Sequence, residues 1–323
     1  MPPAAVVAVA AGVVLLGGGR APAAAVASGK CTRTLAAGTG NLQRFVRRLH
    51  RGDVGCLRGT FRTNLSIRGG GGFRLTSAPG AHATIDGVVF LSRTTHDIVL
   101  ARLRIRSTDT PTVRVNGRRI TIRGTDITNS HRGICVAIGG GFERWGIARG
   151  VALLWDRIHD CGRMPATNHD HGVYVEGAVG TVISDSLIYD NADRGIQFFP
   201  NAQRSVVTNN VIDGNGEGVI FSSESAGGQY SVPYASSDNL VTRNIISNSL
   251  VRANIEAWWG GPVGTGNIAR SNCLWNGAQG NLDLSAGGVI AIANVVANPG
   301  FVDRGAHDFD LKAGSPCAGM GPH

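Results

Sequence analysis

The densest run of chemically capable side chains is Asn168-His-Asp-His171, which leads directly into Tyr174 and Glu176. His169 or His171 can act as a general base, and Tyr174 can return a proton to a departing oxygen. Arg194 stands 23 residues after His171, Glu217 stands 23 after that, and Asp170 repeats in the same way as Asp193. Two carboxylates held side by side can share a proton, hold a hard cation such as calcium, or divide acid and base work. An arginine in the same group can neutralise a carboxylate on a substrate through two parallel N–H bonds. Plainer roles exist for the same residues. Arg194 between His171 and Glu217 can be a simple cross-strand ion pair, and Asp170 and Asp193 can be turn residues bonding local backbone. Two histidines around one aspartate suggest zinc, but no third His or Cys stands at ligand spacing, so zinc is set aside.

These equal steps belong to a wider pattern. Arg132-Gly-Ile-Cys-Val136, His171-Gly-Val-Tyr-Val175, Arg194-Gly-Ile-Gln-Phe198 and Glu217-Gly-Val-Ile-Phe221 are versions of one phrase. A second phrase follows as Val206-Val-Thr-Asn-Asn-Val-Ile212, Leu240-Val-Thr-Arg-Asn-Ile-Ile246 and Ile268-Ala-Arg-Ser-Asn-Cys-Leu274. A short fixed period of β-branched runs punctuated by Gly and Asn means a solenoid of stacked strands. Helical-pair repeats need a longer period, and the Leu-rich consensus of a horseshoe repeat is missing. Equivalent positions on adjacent turns of such a stack lie about 4.8 Å apart. The step therefore predicts Asp170 beside Asp193, and Arg194 between His171 and Glu217. With Val173 and Val175 inward, the outward strip reads Tyr174 and Glu176, Gln197 and Phe199, Ile220 and Ser222, Glu256 and Trp258, then Asp283. Aromatic faces stack on the C–H surfaces of sugars and polar groups take hydroxyls, so this mixture suits a glycan; otherwise it is a solvated sheet face. Three long segments border the same turns: Ile138 to Gly150, Gly162 to Asp170, and Ser223 to Asp238 with Tyr230 and Tyr234.

Around this centre the chain divides in four. Residues 1–27 read as an export signal, with an apolar run from Ala4 to Gly18 and a small-X-small site at Ala25-Val-Ala27. The run falls short of the about 20 apolar residues of a membrane span. Residues 28–60 form an N-terminal cap, in which Leu42, Phe45, Val46 and Leu49 recur at helical spacing between Asn41 and Arg51. Residues 61–298 are the coils, and residues 299–323 close the chain. Asn210, Asn244, Asn272 and Asn294 hold one position of successive turns, as a hydrogen-bonded ladder requires. Six cysteines in an exported chain suggest disulfides. Chain proximity favours Cys31 with Cys56 and Cys135 with Cys161. Cys273 shares a column with Leu187, Val211 and Ile245 and is either a buried thiol or the partner of Cys317. The net charge of +9 comes almost wholly from arginine. It admits an acidic polymer as partner; without a dense basic cluster interleaved with aromatics, nucleic acid is set aside.

The end of the chain, Ala297-Asn-Pro-Gly-Phe-Val-Asp303 with Asp308-Phe-Asp-Leu311 and Gly314-Ser-Pro-Cys-Ala-Gly319, resembles the closing segment of secreted right-handed parallel β-helix proteins of the pectate-lyase-like superfamily. The central phrases agree with that resemblance, which covers residues 31 to 319. It implies an all-β, single-stranded right-handed parallel β-helix. It also implies one of several activities: polysaccharide lyase, glycoside hydrolase, uronate epimerase, or glycan binding without catalysis. Several lyases of this fold use a lysine base, whereas the two lysines here, Lys30 and Lys312, lie far from the central coils. The Asn-X-Asp and Asp-Asp motifs of pectin-type hydrolases and the Asp-Pro-His of the epimerases are not found intact. The expectation is a secreted, monomeric, carbohydrate-active enzyme cleaving a uronate-containing polysaccharide by β-elimination. Its catalytic group would be His169, Asp170, His171, Tyr174, Glu176, Arg194 and Glu217. Gln197, Phe199, Tyr230, Glu256 and Trp258 would bind substrate, and Asp170 with Asp193 would hold any calcium.

Overall fold

A computed structural model describes residues 30–140, 145–224, 235–261 and 263–323. Tyr230, most of the third long segment and residues 1–27, read above as an export signal, lie outside the described residues. Three parallel sheets of 15, 10 and 9 strands wind around one core, with a small antiparallel pair at the end of the chain. The third sheet carries the repeated Gly phrase. Its strands include Val113–Val115, Val136–Ile138, Val173–Val175, Arg194–Phe198, Glu217–Ser223 and Ile255–Gly260. Their register places Val173 against Ile196, Ile196 against Val219 and Val219 against Ile255. These inward side chains are fully buried in the main core, each contributing about 1.5–3 kcal/mol of hydrophobic stabilisation.

The turns hold the coil in shape by two devices. Asp185, Asn209, Arg243, Ser271 and Ala293 stand at equivalent places between the first and second sheets, all with φ between 52° and 55°. A sharp bend there needs the left-handed conformation even without glycine, which costs each residue about 1 kcal/mol. The asparagine ladder follows immediately. In Asn210, Asn244 and Asn272 both the backbone N–H and the side-chain N–H₂ donate to the carboxamide oxygen of the next asparagine, ending at Asn294. Further ladders join Asn191 to Asn215, Asn239 to Asn267 and Asn254 to Asn281.

The first end is covered by a helix, Leu42–Val46, whose N-cap Asn41 accepts from the Arg44 N–H. It is shorter than the apolar spacing predicts, because i→i+3 bonds at Arg48 and Leu49 tighten the chain into turns. Leu42, Val46 and Leu49 nonetheless all reach the core. The closing segment packs on the outside of the second sheet. Phe301 and Phe309 form a second core there with Tyr189, Val211 and Ile245, and Cys273 is disulfide-bonded to Cys317. Cys31–Cys56 and Cys135–Cys161 are also bonded. No helix among the described residues is long and apolar enough to cross a membrane.

Candidate active site

The long segment before Val173 is tied down by one carboxylate. Asp193 Oδ1 accepts from the backbone N–H of Asn168 at 2.8 Å, and Oδ2 accepts from those of His169 and Asp170 at 2.9 and 2.8 Å. The Thr167 hydroxyl adds a fourth bond, shared with Asp170 Oδ2. Asp170 in turn meets the Arg163 guanidinium. The two aspartates are neighbours, as the 23-residue step requires, and both Asp193 oxygens and Asp170 Oδ2 accept from these donors. That is the plainer role, in which turn carboxylates bond local backbone. Among the described residues no group of three or more His, Cys, Asp or Glu is placed to hold a metal ion.

Arg194 completes the clamp. Nη1 donates to the Asn168 carbonyl at 2.7 Å, Nη2 to the Asn168 side-chain oxygen at 2.8 Å, and Nε to Glu217 at 3.0 Å. It is the largest fully buried side chain among the described residues. A buried guanidinium is stable only with its donors matched, and Asn168, at φ 72°, is bent to supply two of the acceptors. A cavity of about 230 Å³ opens beside this group, lined by Thr167, Asn168, Asp193, Arg194, Glu217 and Arg252.

Glu217 and Glu256 form the second feature. Burial pushes the Glu217 carboxyl well above the usual carboxylate range, contact with Glu256 adds to this, and Arg194 only partly opposes it. Glu217 Oε1 has no donor partner among the described residues, so a proton on it is what joins it to Glu256. Burial pushes Glu256 up as well, but its bonds from Arg252 and Glu217 outweigh this and leave it below its ordinary value. The two shifts are opposed, so of the two carboxyls Glu217 is the one that keeps a proton to the higher pH. Arg252 also lies over the Trp258 ring at 4.3 Å.

His171 and Arg194 share a column with Glu217, and Arg194 pairs directly with Glu217 in the register. His171 is buried, with its ring edge-on to Tyr174 at 5.2 Å and Nδ1 unpartnered among the described residues. Burial, reinforced by Arg194 and His169, lowers its basicity far enough to keep the ring neutral, against a weak pull from Gln197. His169 by contrast is exposed. Tyr174 and Phe199 lie nearly parallel at 6.5 Å, and Glu176 meets Arg114 at 3.3 Å.

The outward strip has the predicted register, since Tyr174 pairs with Gln197, Gln197 with Ile220, and Ile220 with Glu256. It is not an open sheet face: Tyr174, Glu176, Gln197, Phe199 and Glu256 are all buried, while Asp283 is half-buried and Trp258 exposed. Three participants were missed from sequence. Arg114 could have been found, because it stands in the same outward column two rungs before Tyr174. Arg252 and Arg163 lie in irregular connections where no periodic signal reaches them.

The family model for a right-handed β-helix region matches residues 63–295. No curated protein matches the chain. Among solved structures, pectate lyase Pel9A superposes with a TM-score of 0.54 at 11% identity, over 89% of this chain and 91% of that one. The A-module of mannuronan C-5 epimerase AlgE6 from Azotobacter vinelandii gives 0.43 at 14% identity, over 82% and 88%. An alginate lyase from Paenibacillus gives 0.41 at 15% identity, over 82% and 100%. At these identities the likeness is one of fold. With its three-sheet coil and the family match over most of its length, the chain belongs to the right-handed β-helix family and has a pectate-lyase-like fold.

Proposed function

We propose that this protein is an exported enzyme that cleaves an acidic, uronate-containing polysaccharide by β-elimination. One observation carries the reading: an imidazole, a guanidinium and a carboxyl stand on three consecutive rungs, as His171, Arg194 and Glu217, where burial favours the neutral form of the first and the third. Elimination needs a base for the proton beside the substrate carboxylate, a cation for the charge that develops there, and an acid for the departing glycosidic oxygen. His171 takes the proton, Arg194 stabilises the charge, and Glu217 protonates the leaving group; afterwards His171 releases its proton to solvent and Glu217 takes one back, while Glu256 stays ionised beside Arg252. Tyr174 orients the imidazole, and Trp258 offers a ring to a bound sugar. Three disulfides favour an oxidising compartment, and the likeness in fold to a pectate lyase names the polymer class to test first.

The test is incubation with polygalacturonate, alginate and glycosaminoglycans while following the ultraviolet absorbance of an unsaturated uronate. Rising absorbance that is lost in His171→Ala and in Glu217→Gln supports the reading, and a flat trace on every polymer removes elimination. The split between Glu217 and Glu256 also favours a second reading, glycoside hydrolysis with Glu217 as the acid. New reducing ends without absorbance would select it, and saturable binding without product would select a glycan-binding solenoid.

A further inference from the structure

Charge is divided unevenly along the chain. Residues 1–150 contain 22 Arg and Lys against 6 Asp and Glu, whereas residues 151–323 contain 9 against 16. In a solenoid, order along the chain is order along the axis, so the first coils form a basic segment and the later ones an acidic segment. On the second sheet the early arginines are matched: Arg62 and Arg106 meet Asp86, and Arg104 meets Asp126.

On the first sheet the matching is incomplete: Arg119 bonds Asp97 and Arg33 meets Asp53, but the arginine beside Arg119 faces another arginine. Arg118 pairs in register with Arg149 on the neighbouring strand, about 4.8 Å away by strand spacing. Both are exposed, and neither has a carboxylate partner among the described residues. At the other end of the same strands, Arg102 and Arg123 crowd Arg74, whose charge is disfavoured by burial first and then by these two neighbours. Between the two arginine groups runs an outward column of small, uncharged side chains, Val99, Thr121 and Ala152, with methyl groups facing out. Trp155 is exposed at its edge, with the Arg123 guanidinium 4.2 Å from the ring centre. Like charges directly across a sheet are destabilising. Such an array draws in counterions, and a polyanion that replaces them gains the entropy of their release.

We propose that the outer face of the first sheet over these coils is a docking track for an anionic polysaccharide, separate from the cavity beside Arg194. A polymer with one carboxylate or sulfate per sugar presents its charges at about the spacing of the rungs, and its C–H faces fit the column of methyl groups and Trp155. A row of aromatics on which bases could stack is missing from this face among the described residues, which favours a glycan over a nucleic acid. The track shares with the proposed function the reading of the partner as an acidic glycan; it does not require that the glycan be cleaved.

The test is equilibrium binding of the full chain to immobilised polygalacturonate, alginate and heparin across a salt series. Duplex DNA and neutral dextran serve as comparisons. Arg118→Gln/Arg149→Gln and Arg102→Gln/Arg123→Gln should each weaken binding about tenfold and flatten the salt dependence by about one unit of slope per arginine. Arg204→Gln/Arg243→Gln, on the acidic half, should bind as the unaltered protein does. Equal binding by both track variants would overturn the proposal, and so would tighter binding of duplex DNA than of any of the three glycans. Turnover of short oligosaccharides, which cannot span from cavity to track, should be unchanged in the track variants. Absence of turnover on all polymers would remove the proposed reaction and leave the track to stand on its binding data. Turnover with unaltered polymer binding in the track variants would remove the track alone.

Discussion

Replacing Asp193 with asparagine should loosen the loop that shapes the cavity while leaving the coil intact. Oδ1 can remain an acceptor for the Asn168 N–H. The new amide nitrogen would then face the N–H groups of His169 and Asp170, which Oδ2 now accepts at 2.9 and 2.8 Å. Two backbone donors lose their acceptor, at about 1–3 kcal/mol each, so the loop is weakened locally by about 2–6 kcal/mol. Rotating the amide only exchanges one orphaned set for another. The coil beneath keeps its register and buried apolar columns, so the midpoint of global unfolding should move little. Hydrogen exchange followed by mass spectrometry reads this directly: peptides covering residues 166–171 should exchange faster by at least about tenfold, since each 1.4 kcal/mol is a factor of ten. Peptides from the strands at Val206–Thr208 and Leu240–Thr242 should be unchanged. If residues 166–171 keep their protection in the variant, Asp193 does not anchor the loop. If instead calcium protects them in the unaltered protein and this protection is lost in the variant, the carboxylate is a cation ligand and the loop-anchor account is wrong.

Asn244→Ala should destabilise the whole coil, because it removes the acceptor for Asn210 and the donor to the buried carbonyls of Val207 and Thr242. A loss of about 3–5 kcal/mol in denaturant unfolding is expected, and a loss under 1 kcal/mol would show that the ladder is dispensable. Asp156 is buried, and burial pushes its carboxyl up to about 8 from 3.8 despite bonds from the Thr125 and Leu154 N–H groups. The folded chain therefore holds a proton that the unfolded chain releases, and stability falls with rising pH between about 4 and 8, by up to about 1.4 kcal/mol per unit. Asp156→Asn should remove that slope, and identical pH profiles for the two proteins would contradict it. Activity on a uronan should show a plateau, lost at low pH as His171 gains a proton and at high pH as Glu217 loses one. A single limb would mean that one of them does not act.

Much of this was legible in the sequence because parallel stacking turns chain spacing into proximity. The 23-residue step placed Asp170 beside Asp193 and Arg194 against Glu217, and the shared Asn position gave the ladder. Local spacing also gave the disulfides at Cys31 and Cys135. What alternation cannot encode is whatever lies over an outward face. Tyr174, Gln197 and Glu256 point outward as read, yet they are buried, and the Arg252 bonds to Glu256 are what separate its protonation from that of the likewise buried Glu217. Arg252 escaped notice because the coil between Phe221 and Ile255 is longer than its neighbours and breaks the step. The shorter helix reflects the competing turn at His50 and Asp53, where each backbone N–H is bonded within the turn. Cys273 left two readings open until the closing segment was seen to fold back over Val211 and Ile245.

The central claim is that Glu217 is a protonated acid at neutral pH, held beside a cation and a neutral histidine. Infrared difference spectroscopy between the unaltered protein and Glu217→Gln at pH 7 tests this without any assumption about substrate. A carbonyl band of a protonated carboxylic acid, present in the unaltered protein and absent from the variant, is the predicted result. A difference spectrum containing only the stretches of an ionised carboxylate would mean that Glu217 is an ordinary partner of Arg194, with no proton to give.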